Sequence, residues 1–86
     1  MIEVVLTKGT RILSFDGRVL EDFYVMSQNS QRIHVRHVDR VEIKEGRKGA
    51  RTLDVRSVGR VILIKLDEAE WGPVDQLVAQ LNAARG

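Results

Sequence analysis

The sequence contains no cysteine. That excludes a disulfide framework, a thiol nucleophile and any thiolate metal site. Aromatic residues make up only 5% of the chain, which leaves few rings for stacking nucleic-acid bases once a core has been built. No apolar run approaches the ~18 residues of a membrane-crossing helix. The start, Met-Ile-Glu-Val-Val-Leu-Thr-Lys, carries an acid early and lacks the basic-then-apolar layout of a signal peptide. Motifs of catalysis are missing too. Ser14, Ser27, Ser30 and Ser57 stand outside any Gly-x-Ser-x-Gly context. Gly46-Arg47-Lys48-Gly49 is too short for a phosphate loop and reads as a hairpin tip. These absences set the expectations of a non-enzyme with no cofactor and, by default, a cytoplasmic location.

What is present is a small globular composition. Of 86 residues, 43% are hydrophobic and 30% charged, which fits one folded domain over 1–86 rather than a disordered chain. A chain this short buries a modest fraction of its unfolded surface, so its core must be efficient or shared with a partner subunit. Net charge is +2, and arginine outnumbers lysine, a bias that suits multidentate pairing or anion contacts and equally an ordinary solvated face.

Alternation of apolar and polar residues marks strands along most of the chain. Residues 2–7 lead one face with Ile2, Val4 and Leu6. Residues 10–15 put Leu13 and Phe15 opposite Ile12. Asp16-Gly17 is a hairpin signal of the two-residue type I′ kind, and 18–26 runs back antiparallel. Residues 27–31, Ser-Gln-Asn-Ser-Gln, read as a polar loop. The stretch 32–45 changes step: Ile33 and Val35, then Val38, then Val41 and Ile43. Steps of two mark strands, and the steps of three around Val38 mark a corner at Arg36 and His37. After a second loop at 45–50, residues 51–57 alternate through Leu53 and Val55. Val58-Gly59 makes a tight turn, and 60–66 is apolar on both faces.

The last segment differs in kind. Pro73 suits the first turn of a helix, where its missing N–H costs nothing. Val74, Leu77, Val78 and Leu81 follow the i, i+3, i+4, i+7 spacing of one helical face. Asp75 near the start and Arg85 near the end have the right signs for the helix dipole. Trp71 is expected to pack where the final strand hands over to this helix. The fold class is therefore mainly β with one C-terminal amphipathic helix, a sandwich or a small barrel plugged at its open end.

Candidate binding residues cluster in 32–45. Arg32, His34 and Arg36 share a face on a regular strand, and Arg40 follows. These four are the expected contacts for an acidic partner. Lys44, Arg47, Lys48 and Arg51 extend the strip, and a convergent strip of this kind contacts phosphates. Asp39, Glu42 and Glu45 interrupt it. His34 and His37 with Asp39 supply too few ligands for a zinc site. Asp67, Glu68 and Glu70 lack the glycine-bearing spacing of calcium loops and read as an acidic approach to the helix. In 61–66, Val61 and Leu63 take one face and Ile62, Ile64 and Leu66 the other. A two-layer fold covers one face only, so the other is expected to form an interface in a homo-oligomer, most simply a dimer.

Arg11-Ile-Leu-Ser-Phe-Asp-Gly17 near the start, the corner segment from Ile33 to Ile43, and an apolar strand leading to a helix over 74–84 together resemble the short bacterial pleckstrin-homology (PH)-like and GRAM-type domains. The resemblance covers nearly the whole chain and rests on hydrophobic spacing. It implies a seven-stranded PH-like sandwich or barrel capped by the helix. Small SH3-like, Sm-like and split barrels share much of the same pattern. It also implies a non-catalytic binding role: some members hold phosphoinositides through basic residues around the first inter-strand loop, here Lys8, Arg11 and Arg18, and many bacterial members assemble into oligomers. The partner expected here is a protein segment or a second copy of the chain. Nucleic acid or an anionic membrane surface, contacted through Lys8, Arg11, Arg47 and Lys48 as well, is the alternative.

Overall fold

The computed structural model describes residues 1–85. Seven strands form two antiparallel sheets, followed by one helix. The first sheet is a meander of β1 (Ile2–Leu6), β2 (Arg11–Phe15), β3 (Val19–Tyr24) and β4 (Asn29–His34), in that order. The second is β5 (Val38–Glu45), β6 (Arg51–Ser57) and β7 (Arg60–Leu66). A 3₁₀ turn, Val35–His37, joins them, and α1 (Trp71–Arg85) ends the described chain. The sheets do not close into a barrel, because no ladder joins an edge of one to an edge of the other. The architecture is a sandwich, and the barrel expectation is corrected.

Alternation decides which side chains meet. Val4, Leu6, Leu13, Phe15, Leu20 and Ile33 from the first sheet join Val41, Leu53, Val55, Ile62, Ile64 and Leu66 from the second in one core. Val74, Leu77 and Leu81 of α1 complete it, each fully buried. Their spacing is that of one helical face, so truncating any of them would leave a cavity costing about 2–5 kcal/mol. Asp67 and Glu70 form a reciprocal capping box at the approach to α1, satisfying donors that a helix start leaves unpaired. Trp71 packs against the core, with the Arg51 guanidinium 4.4 Å above its ring. The helix lies against β1, β5 and the corner.

The corner at Arg36 and His37 forms where the step in hydrophobic spacing places it. Other local expectations are corrected. Asn29, Ser30 and Gln31 do not belong to a loop; they pair with Tyr24, Phe23 and Asp22. The first hairpin turns on Gly17 and Arg18, not on Asp16 and Gly17. Asp16 N–H reaches the Val19 carbonyl (3.4 Å), and the Asp16 carboxylate accepts from Arg18 N–H and Val19 N–H, both at 2.8 Å. Of that central pair only Gly17 has positive φ, at 101°, as in type II′ rather than I′ turns. Those two backbone donors hold the Asp16 carboxyl below its ordinary range. β3 ends at Tyr24, so Met26 is exposed instead of continuing the face of Leu20 and Tyr24. The remaining member of that inward face is Asp22, which is fully buried.

Candidate functional site

Between the first and second sheets, beside the corner, lies an open cavity of about 440 Å³. Its walls are Arg32, Ile33 and His34 from the end of β4, His37 from the corner, and Ser57, Val58 and Arg60 from the β6–β7 turn. A neighbouring cavity of about 400 Å³ shares Ser57 and Arg60 and continues along Asp39, Arg40, Arg56, Gly59 and Val61. The two form one groove with Arg60 at its middle.

Local structure fixes the groove from both sides. Ile33 and Val35 are buried and pin the end of the first sheet, and the Val35 N–H donates to the Arg18 carbonyl at 2.7 Å. His34 Nδ1 accepts from the Arg36 backbone N–H at 3.2 Å and from Arg36 Nε at 3.4 Å. An accepting Nδ1 leaves the proton on Nε2. The His34 and His37 rings stand edge to face, 6.2 Å between centroids. On the other side, the two-residue turn at Val58 and Gly59 sets Ser57 opposite Arg60. Arg60 reaches back across the groove and donates from Nη1 to the Arg32 carbonyl at 3.4 Å.

The electrostatics are one-sided. Arg32, Arg40, Arg56 and Arg60 line the groove, and Asp39 in the second cavity is its only lining carboxylate among the described residues. Arg32 sits 3.7 Å from Glu21, and Arg40 sits 3.7 Å from Glu42. Both are exposed pairs, a kind worth at most about 1 kcal/mol, so either arginine is free to exchange partners. Arg60 has no carboxylate within salt-bridge distance among the described residues.

Of the residues singled out in the sequence, Arg32 and His34 line the first cavity and Arg40 the second. Arg36 lines neither, because its guanidinium folds back on His34. The four outlying cations do not join them. Arg47 and Lys48 occupy the β5–β6 tip, at the far end of the second sheet from Ser57. Lys8 sits in the β1–β2 connection, at the end of the first sheet away from His34. Arg11 is committed elsewhere: its Nε and Nη2 grip the Asp22 carboxylate at 2.8 and 2.6 Å, and Tyr24 stacks 4.7 Å away. That carboxylate raises the Arg11 pKa above its ordinary value. Arg56, Ser57, Arg60 and the cavity-lining role of His37 were missed in the sequence. The available signal was the tight turn at Val58-Gly59, which forces the residues before and after it together.

Among the described residues, no three metal-ligating side chains converge and no helix is long and apolar enough to cross a membrane. Comparison with models of known protein families, with curated proteins and with solved structures gave no match.

Proposed function

We propose that the chain is a non-catalytic interaction domain of the PH-like type that captures an acidic, extended segment of a partner protein in the groove beside β4. The PH-like reading is supported by the element order, four strands, then three, then a helix. The observation that carries the functional reading is the cavity walled by Arg32, His34, His37 and Arg60 with no carboxylate among its lining residues. β4 is an edge of its sheet, and an edge offers unpaired N–H and C=O groups to an added strand. Main-chain pairing supplies affinity, and the arginines select acidic side chains through charge-assisted hydrogen bonds.

The test is fluorescence anisotropy with a labelled oligo-glutamate peptide, titrated with protein over a salt series. Binding is expected at low salt. The double substitution Arg32→Glu and Arg60→Glu should abolish it while leaving the circular dichroism spectrum intact. Loss of two charge-assisted contacts at about 1.5–3 kcal/mol each predicts at least a hundredfold weakening. Unchanged affinity in the double variant overturns the reading. So does tighter binding of an oligonucleotide or of anionic vesicles than of the peptide, because the groove would then serve a different partner.

A further inference from the structure

The sandwich has four strand edges, and two of them, β1 and β5, run beside α1. β1 lies under α1, and just past its end the Thr7 N–H donates to Glu70 at 3.0 Å. β5 is flanked by α1, is bulged between Val38 and Arg40, and has Arg85 Nη2 on the Asp39 carbonyl at 2.5 Å. Bulges and covering elements of this kind are how soluble proteins keep edges from pairing with another chain. β4 borders the groove, and its edge is the one assigned above to the captured segment; the single 3.4 Å contact from Arg60 Nη1 to the Arg32 carbonyl gives way to it.

β7 has neither a bulge nor a covering element among the described residues, and its charged side chains, Arg60 and Lys65, stand toward its two ends. Its register with β6 is continuous from Ser57↔Arg60 to Arg51↔Leu66, it contains no proline, and no hydrogen bond from another element reaches its outer edge. Ser57 and Arg60 close a two-residue turn, so the hydrogen-bonded positions on the β6 side are Arg60, Ile62, Ile64 and Leu66. Val61, Leu63 and Lys65 therefore point their N–H and C=O groups outward. The same residues carry the exposed face, where Val61 is 51% and Leu63 53% exposed. Unpaired backbone and unburied apolar side chains coincide on one strand.

We infer that β7 pairs antiparallel with β7 of a second copy, giving a twofold dimer in which the two three-stranded sheets become one continuous sheet with Ile62 on the axis. A second copy is the fitting occupant because the pattern is self-complementary. A twofold interface requires that if residue i meets j, then j meets i. Directly opposed residues of antiparallel strands share a face, which restricts the register to a few choices. With Leu63 on the axis, each Val61 faces Lys65 of the partner subunit. With Ile64 on the axis, each Leu63 does. With Ile62 on the axis, Val61 faces the partner's Leu63, Leu63 faces the partner's Val61, and Lys65 falls opposite the partner's Gly59, where it meets no side chain. Only this register pairs every exposed apolar residue with another. Gly59 and Val61 also line the second cavity, so the partner's Lys65 adds a cation to the groove. That last consequence rests on the groove reading above; the dimer does not.

The experiment is molar mass by light scattering and sedimentation over a protein concentration series. The unmodified chain should approach twice the 9.8 kDa chain mass as concentration rises. Val61→Lys and Leu63→Glu should each halve that mass, whereas Val5→Lys, an exposed apolar position on the other sheet, should not. Circular dichroism confirms that each variant stays folded. The combined variant V61K/L63E tests the register: with Ile62 on the axis each introduced lysine faces an introduced glutamate of the partner, and the doubled mass returns. With Leu63 on the axis the two glutamates face each other and the mass stays single. A single-chain mass for the unmodified protein at every concentration overturns the dimer, and a single-chain mass for the double variant overturns the register.

Discussion

The two sheets each hide an aspartate completely and each leave apolar side chains in water, but in opposite arrangements. In the first sheet, Asp22 shares the inward face with Leu13 and Leu20. It is held by the Arg11 guanidinium, whose side chain is itself only 16% exposed. In the second, Asp54 lies on the outward face of the central strand, between Glu42 and Leu63. Its cover is Lys44 at 2.9 Å and Arg56 at 3.1 Å, side chains 49% and 44% exposed. Zero exposure thus means two different things. Asp22 is inside the protein; Asp54 is on its surface under flexible cations. The apolar residues differ likewise. In the first sheet Val5, Ile12 and Phe23 stand in register across three strands whose backbones are paired with one another. In the second, Val61 and Leu63 run along a strand with one unpaired edge. An apolar row across paired strands offers only side chains, whereas one along an edge offers backbone as well, and this is why β7 is the strand proposed to pair with a second copy.

The largest expected effect breaks the inner pair. Asp22→Ala leaves a poorly solvated guanidinium without its partner, and removing one member of a buried pair costs about 3–5 kcal/mol. The urea midpoint should fall accordingly. Replacing both members with apolar residues of similar volume, Arg11→Met with Asp22→Leu, should recover most of that loss, since well-packed apolar substitutes for buried pairs are often neutral. If Asp22→Ala alone shifts stability by less than about 1 kcal/mol, the pair is not solvent-shielded and the contrast between the sheets collapses.

A smaller loss is expected for Asp54→Asn, and it should shrink further in high salt, because half-exposed cations are screened while the Arg11–Asp22 pair is not. Acid titration sharpens the point. Lys44, then Arg56, hold the Asp54 carboxyl below its ordinary value. A depressed native pKa means the stabilisation is fully present above the unfolded value of about 3.9 and is lost as pH falls through the native one. Asp16 behaves the same way through its two backbone donors. Stability measured from pH 5 downward should therefore fall less steeply in Asp54→Asn than in the unmodified protein. An identical slope would show that Lys44 and Arg56 give this carboxylate no net support.

Much of this architecture is legible in the sequence, and what is hidden follows a rule. Alternation located the strands, and the three-residue step around Val38 located the corner, because a buried face imposes its period on the chain. Asn29–Gln31 escaped because they lie on an edge strand and are polar on both faces, so no period is written there. Asp22 escaped because a charged residue in an alternating stretch reads as outward; its partner Arg11 becomes visible only once the β2–β3 register is known. The groove failed for a related reason. Arg32 and His34 stood out as local neighbours, but Arg56 and Arg60 join them only through the β6–β7 hairpin and the packing of the two sheets. Sequence proximity also promoted Arg36, whose guanidinium turns away to serve the corner.

The smallest effect separates the two tight turns that hold these sheets in register. Gly17 and Gly59 both have positive φ, at 101° and 74°, and a Cβ on either would meet open space. Any cost of substitution is therefore conformational rather than steric crowding. The left-handed region open to L-residues centres near φ of about +57°, and asparagine tolerates it best after glycine. Gly59 lies near that region and Gly17 well beyond it. Gly59→Asn should cost only a few tenths of a kcal/mol, whereas Gly17→Asn should cost about 1 kcal/mol or more, measured as paired urea midpoints. The hydrogen bonds from Arg18 and Val19 to Asp16 hold the first turn in its shape, so the chain cannot relax Gly17 toward +57° without losing them. Adding Asp16→Ala releases that constraint, and in its background the gap between the two asparagine variants should narrow. A gap of the same size in both backgrounds would show that the strand register, not the aspartate, fixes the conformation of Gly17.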